Sequence, residues 1–151
     1  MKLNVDFDFR VKGRFITHDK LDEFALETAR KVRETIEERF ITGNYLPGTD
    51  RETYNEEYAE RRKGGRLAPV DMWLAGDMRS AITPIHEIRG GNDYIAGVTV
   101  EGDAAQKVWY HHFAGAGPNK IRRKFWALTD DEVRYILRRA GEATDYCIKR
   151  V

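Results

Sequence analysis

The sequence predicts an α+β fold in which an antiparallel β-sheet packs against a long N-terminal helix and a C-terminal helix. Three patterns indicate this fold: an alternating apolar segment near the N-terminus, a long helical stripe after it, and a basic aromatic stretch that leads into a capped helix. At 151 residues, 41% of them hydrophobic, the chain suits a single domain over residues 1–151 with one modest core.

The first two elements follow from periodicity. A strand is predicted where apolar and polar side chains alternate up to Gly13, with apolar residues at Leu3, Val5, Phe7, Phe9 and Val11. A long amphipathic helix is predicted over Asp19 to Thr42, capped by Thr17 or Asp19, because apolar residues recur at intervals of three and four. It should end near Gly43.

The middle of the chain alternates between turn signals and short elements. After a loop over residues 43–50, Thr49 and Glu52 have capping-box spacing, which predicts a polar helix through about Lys63 that stops at Gly64-Gly65. Residues 73–82 have helical spacing up to Pro84. Two strands, Ile85 to Arg89 and Tyr94 to Val100, should flank a turn at residues 90–93.

The last third contains one ambiguous segment and two clear predictions. Residues 104–113 fit either a helix or a strand, and residues 115–118 predict a loop. Alternation over residues 121–128 predicts a strand, and the capping box Thr129-x-x-Glu132 then starts a helix to about Lys149, with Cys147 on its buried stripe. The predicted core is Phe7, Phe9, Phe24, Val32, Ile36, Val98, Phe125, Val133 and Leu137.

Composition narrows the function. The 26 basic and 25 acidic side chains give a net charge of +1, so bulk charge does not favour a polyanionic partner. The single cysteine excludes an intramolecular disulfide and any multi-cysteine metal site. Neither a signal peptide nor a membrane-spanning run is found, so we expect an intracellular protein without a membrane partner.

Three enzymatic readings are weak. His111 and His112, with Asp103 or His86, could supply metal ligands, but adjacent histidines in a strand would point to opposite faces. Ser80 lacks the Gly-x-Ser-x-Gly elbow of a hydrolase, and the glycine pairs lack phosphate-loop spacing. We therefore expect no enzyme, no catalytic residue, no metal and no cofactor.

Residues 120–126 allow a second interpretation. Lys120, Arg122, Arg123 and Lys124 could neutralise phosphates while Phe125 and Trp126 stack on bases, which would make a nucleic-acid-binding module. Against it, alternation would leave only a few cations on each face of a strand, and Asp130 and Asp131 follow at once. Protein contact or simple solvation of the strand is the competing interpretation.

Residues 123–130, Arg-Lys-Phe-Trp-Ala-Leu-Thr-Asp, resemble the Arg-Pro-Phe-Leu-Gly-Leu-Ser-Asp signature of the tailed-phage virion morphogenesis (tail-completion) family. Further similarities occur in the family's order, at residues 58–64, 74–82 and 110–115. Lys124 stands where the family has proline, Ala127 where it has glycine, and Ala75 where it has threonine.

The resemblance implies a structural protein that completes the tail or joins head to tail, as a neck or connector component. It also implies a hexameric homo-oligomer, neighbouring neck, connector or tail-tube partners, DNA passing through the ring, and a place in the virion after assembly in the host cytoplasm. The expected partner and oligomer contacts are Arg61, Arg62, Lys63, Arg122, Arg123, Lys124 and Trp126.

Overall fold

The computed structural model describes residues 1–12, 17–50, 53–67, 77–144 and 147–150, and these residues form four strands and five α-helices. The strands are β1 (Lys2–Lys12), β2 (Thr83–Gly90), β3 (Asp93–Glu101) and β4 (Cys147–Arg150). The helices are α1 (His18–Thr42), α2 (Glu56–Arg62), α3 (Asp77–Ser80), α4 (Gly102–Trp109) and α5 (Asp130–Thr144), with a π-helical turn at Tyr110–Ala114 directly after α4. The α+β prediction is confirmed.

The described residues form two compact units. The first, called the loop unit here, contains Met1 and residues 36–81 and 101–127; the second, the sheet unit, contains residues 2–35, 82–100 and 128–151. Within the described residues, no helix combines the length and the apolar character needed to cross a bilayer.

The sheet of the second unit has the order β2-β3-β1-β4. The predicted hairpin is confirmed: β2 pairs antiparallel with β3 from Thr83 opposite Thr99 to Gly90 opposite Asp93. Between β3 and β1, a β-carbon on Gly97 would lie 2.1 Å from the Val5 carbonyl oxygen, so this close strand approach requires glycine.

Strand β1 follows the alternation of its sequence, because Phe7, Phe9 and Val11 are buried while the residues between them are exposed. Helix α1 buries residues spaced by three and four, and Oδ1 of its Asp22 accepts a hydrogen bond from His86 Nε2 of β2 at 2.9 Å. Of the predicted core, Phe24 is wrong, since it is only half-buried; the other predicted core residues are buried.

The prediction of the last helix needs correction at its end. Helix α5 stops at Thr144, and Cys147 lies in β4, which pairs antiparallel with β1 from Phe9 opposite Arg150 to Lys12 opposite Cys147. In the sequence, the apolar helical stripe weakens after Ala140. Strand β1 offers the backbone of residues 147–150 hydrogen-bond partners at the edge of the sheet, so these residues form a strand.

The second capping box is also wrong. Helix α2 begins after Asn55, whose side-chain oxygen accepts the Tyr58 N–H at 2.7 Å. Thr49 lies in the loop before it and donates its hydroxyl to the Leu46 carbonyl. The stop at Gly64-Gly65 is confirmed, because both glycines have positive φ and Gly65 N–H donates to the Ala59 carbonyl. Glu52 and residues 73–76 of the predicted helix over 73–82 lie outside the described residues.

The capping box of α5 is confirmed and gives a first prediction. Thr129 N–H donates to Glu132 Oε2 at 2.8 Å, and Glu132 N–H donates to Thr129 Oγ1 at 3.2 Å. We expect Thr129→Ala to lower the free energy of unfolding by about 1 kcal/mol, because an amide at the start of the helix loses its acceptor. Chemical denaturation measures this loss. Thr129→Ser keeps the hydroxyl and should unfold as the native protein does; an equal loss in both variants would contradict the cap.

Candidate functional site

The predicted strand over residues 121–128 is wrong. Only Ile121 forms a bridge, with Ala116, and residues 122–127 are an irregular segment that bends at residues 126 and 127. This 122–127 segment belongs to the loop unit and contains most of the residues that the sequence marks as contacts. Its backbone is held by individual hydrogen bonds to loops and side chains, and this explains why no ladder forms.

Arg122 and Lys124 direct their backbone groups to the loop before α2. Asp50 N–H donates to the Arg122 carbonyl at 2.9 Å, and Leu46 N–H donates to the Lys124 carbonyl at 2.7 Å. In return, Arg122 N–H donates to Asp50 Oδ2 and Lys124 N–H to Thr49 Oγ1. Over residues 122–125, successive backbone groups therefore still point in alternating directions, as in a strand, although their partners do not form a sheet.

Residues 123, 125 and 126 donate their N–H groups in another direction, to the π-helical turn. Arg123 N–H donates to the His111 carbonyl at 2.7 Å. His112 Nδ1 accepts two amides, from Phe125 at 3.0 Å and from Trp126 at 2.9 Å. Because Nδ1 is an acceptor in both bonds, His112 is neutral with its proton on Nε2.

Arg39, near the end of α1, supplies the donors for the carbonyl groups. Its Nη1 donates to Phe125 O at 2.9 Å and to Ala127 O at 2.6 Å, and its side chain is buried. Phe40, one residue on, packs edge-on against Phe125 with ring centroids 4.9 Å apart. Polar and apolar contacts from α1 thus fix the same segment.

His111 and His112 each have a pKa of about 4, below the ordinary value of a histidine. Burial is the larger cause for His111, followed by the charge of Arg123. Burial is also the larger cause for His112, followed by the charges of Lys124 and Arg39. Each imidazole is therefore neutral at physiological pH, and neither adds to the positive charge of the segment.

The histidines that were considered as metal ligands have other roles. His111 and His112 lie in a π-helical turn rather than in a strand, and His86 contacts Asp22. In the part of the chain that the structure describes, no three His, Cys, Asp or Glu side chains are grouped so that they could hold a metal ion.

The predicted contact residues differ in how accessible they are. Arg61 and Arg62 are exposed on α2, whereas Lys63 is half-buried, with its amine 5.5 Å from the centre of the Tyr54 ring. Arg122 is exposed, and its guanidinium pairs with Asp50.

The other three predicted contacts are more enclosed. Arg123 and Lys124 are half-buried, and the Arg123 guanidinium donates to the Thr53 carbonyl. Trp126 is 4% exposed, so its prediction as a surface contact is corrected. Phe125 and Trp126 lie on opposite faces of an ideal strand but are both buried here, because the segment is covered on two sides.

The structure adds an exposed aromatic surface that the sequence interpretation missed. Trp109, Tyr110 and Phe113 are 38%, 46% and 49% exposed, and we call them the aromatic face. In a helical reading, Ala105, Val108 and His112 form the buried stripe and leave these three rings outside. The sequence contains this helical spacing, but it identifies the exposed rings only if residues 104–113 are assigned to a helix rather than a strand.

A groove of about 490 Å³ lies beside the aromatic face. It is lined by Lys107, Tyr110, His111, Gly115, Ala116, Gly117 and Lys120, and we call it the Lys120 groove. Its wall depends on Gly115, at φ 90°, because a β-carbon there would lie 2.1 Å from the Lys120 carbonyl oxygen. Lys120 itself has φ 48°, a conformation that non-glycine residues seldom adopt.

Comparison with known proteins gives no independent assignment. No protein-family model matches the chain. No curated protein matches it, and no solved structure matches it either.

The acceptor role of His112 predicts a measurable acid sensitivity. The folded protein keeps His112 neutral down to a pKa of about 4, whereas the unfolded chain protonates it near 6.5, so the unfolded state binds more protons in between. The stabilisation is complete above pH ~6.5 and is lost as the pH falls towards 4, by up to about 1.4 kcal/mol per pH unit.

Asparagine separates this effect from the titration of carboxylates. His112→Asn keeps an acceptor oxygen close to the position of Nδ1 but cannot be protonated in this range. Denaturation curves between pH 4 and 6.5 should show a shallower pH dependence for the variant than for the native protein. Equal slopes would contradict the role given to His112.

Arg39 gives a second stability prediction. Arg39→Met keeps much of the buried stem but leaves the Phe125 and Ala127 carbonyls without this donor, and we expect a loss of about 2–4 kcal/mol. Thermal or chemical unfolding measures it. Arg33→Met on the same helix is the matched control and should cost much less, because Arg33 is only half-buried. Similar losses in the two variants would argue against the role of Arg39.

Proposed function

We propose that this chain is a structural subunit of a tailed phage that completes the tail or joins head to tail, working as a ring of like subunits. The observation that carries the proposal is the aromatic face, Trp109, Tyr110 and Phe113. Clusters of exposed large aromatic side chains are typical of protein–protein interfaces and are seldom kept on a surface that only meets water. Tyr110 to Gly115 is also one of the stretches that resemble the virion morphogenesis family.

The order of the resembling segments supports the same proposal. They follow one another from residue 58 to residue 130, and the described ones include α2, the π-helical turn, the 122–127 segment and the start of α5. A protein with this role needs surfaces and no reaction centre. We therefore assign it no catalytic step and no cofactor, and place it in the virion at the head–tail junction or at the end of the tail.

The alternative, a nucleic-acid-binding module built on residues 120–126, has less support. Phe125 and Trp126 are buried, so they have no free face for bases. The exposed Arg122 pairs with Asp50, which offsets its charge. Lys120 is the other exposed cation of this group, while Arg123 and Lys124 are half-buried, and one or two phosphate contacts give little affinity.

Two measurements test the proposal. Native mass spectrometry and negative-stain imaging of the purified protein should show a ring, with six subunits as the expected number. Antibody raised against the chain should label virions of the phage that encodes it at the head–tail junction or the tail end. Virions without label would contradict the proposal, whether or not the isolated protein forms rings.

Duplex DNA distinguishes the alternative. We expect no tight binding at ~150 mM salt, since phosphate contacts weaken steeply as salt rises. Fluorescence anisotropy with a labelled duplex measures it, and titration at several salt concentrations gives the number of contacts from the slope. Sub-micromolar binding with a steep salt dependence would favour the nucleic-acid module over the structural subunit.

A further inference from the structure

The Lys120 groove is a basic concave site next to an exposed aromatic surface. Among the described residues that line it, two are lysines and none carries a carboxylate. Since His111 is neutral at physiological pH, the charge of the groove comes from its lysines. A complementary surface would present carboxylates beside the aromatic face.

The outer surface of α2 carries such carboxylates. Glu56, Glu57 and Glu60 are all exposed in one short helix, and only Ala59 of that helix is buried. Glu57 pairs with Arg61 at 2.8 Å, and Glu56 and Glu60, one helical turn apart, are the other exposed acids. With Arg62 also exposed in the last turn, α2 carries three acidic and two basic side chains. The rest of α2 rests on a small cluster formed by Tyr54, Ala59, Tyr45 and Tyr58.

We propose that the Lys120 groove and the aromatic face of one copy bind the outer surface of α2 of a second copy, with Lys120 facing Glu56 and Glu60. This inference rests on the proposed ring and names the contact between its neighbouring subunits. Because the groove and α2 are different patches of one chain, the contact is head-to-tail, the type that closes into a ring or extends into a filament.

A second copy suits this surface better than an unrelated acidic protein. The chain carries both members of a complementary pair, and its net charge of +1 gives little repulsion between copies. The aromatic rings supply apolar area at the centre of the contact, while the charges at its rim select the orientation of the neighbour. Lys120 is held in place by the turn at residues 117–120, where its N–H donates to the Gly117 carbonyl.

Charge reversal on each side gives a sharp test. Lys120→Glu and the double variant Glu56→Lys/Glu60→Lys should each weaken self-association at least about tenfold, because each places like charges across the contact. Lys12→Glu, an exposed lysine outside the groove, is the matched control and should assemble as the native protein does. Analytical ultracentrifugation measures the association, and circular dichroism with thermal unfolding verifies that each variant is folded.

Mixing the two variants is the decisive step. In a head-to-tail assembly, the acidic groove of the Lys120→Glu variant can bind the basic α2 of the Glu56→Lys/Glu60→Lys variant. The groove of the second variant and the α2 of the first are both native, so they can bind each other as well. A one-to-one mixture should therefore regain assembly that neither variant shows alone. Assembly of either variant at native strength, or no recovery in the mixture, would overturn the inference.

The aromatic side of the contact has its own control. Trp109→Ser with Phe113→Ser should reduce assembly, whereas Tyr135→Ser, at a position 55% exposed on α5, should not. Equal effects would also overturn the inference. A native protein that stays monomeric would overturn it too, while virion labelling would still decide the proposed function on its own.

Discussion

Two side chains from separate parts of the sequence bind the buried half of the 122–127 segment. His112 accepts the amides of Phe125 and Trp126, and Arg39 donates to the carbonyls of Phe125 and Ala127. A buried amide or carbonyl without a partner costs about 1–3 kcal/mol, so a segment outside a sheet needs such substitutes. The burial of Phe125 and Trp126, and with it the packing of the loop unit, depends on these four bonds.

Burial, followed by the positive charges nearby, keeps His111 and His112 neutral. The positive charges of Lys124 and Arg39 further disfavour protonation of His112, and that of Arg123 does the same for His111. The neutral imidazole of His112 can therefore accept hydrogen bonds from backbone amides, as a peptide carbonyl does, and it carries no positive charge that would attract anions. The guanidinium groups of Arg122 and Arg123 bind oxygen atoms of the loop before α2, at Asp50 and Thr53.

The sequence predicts correctly those elements that are determined by a local pattern of their own residues. The alternation of β1, the stripe of α1, the turn of the β2–β3 hairpin and the capping box of α5 are local patterns, and the structure confirms each of them. Their hydrogen bonds are made within the element or with the adjacent strand. Periodicity and caps therefore carried enough information.

The wrong predictions concern residues whose partners are distant in sequence. Residues 122–127 alternate like a strand, yet their partners include Arg39 and His112, which no local pattern can identify. Thr49 has the spacing of a cap, but its hydroxyl donates to Leu46 in the same loop and accepts from the distant Lys124. Residues 104–113 fit a helix and a strand equally well by pattern, and only a helix places Trp109, Tyr110 and Phe113 on its exposed side.

The π-helical turn at Tyr110–Ala114 also limits how the chain can vary in length. A π-helical turn holds one more residue than an α-helical turn, so deleting one residue there would leave a regular continuation of α4. Every side chain on one side of the deletion would then rotate by about 100° relative to the other side. His112 would turn away from the two amides it accepts, and the exposed rings would no longer share one surface. Both arrangements therefore depend on the same extra residue, so substitutions are easier to accommodate in this turn than deletions.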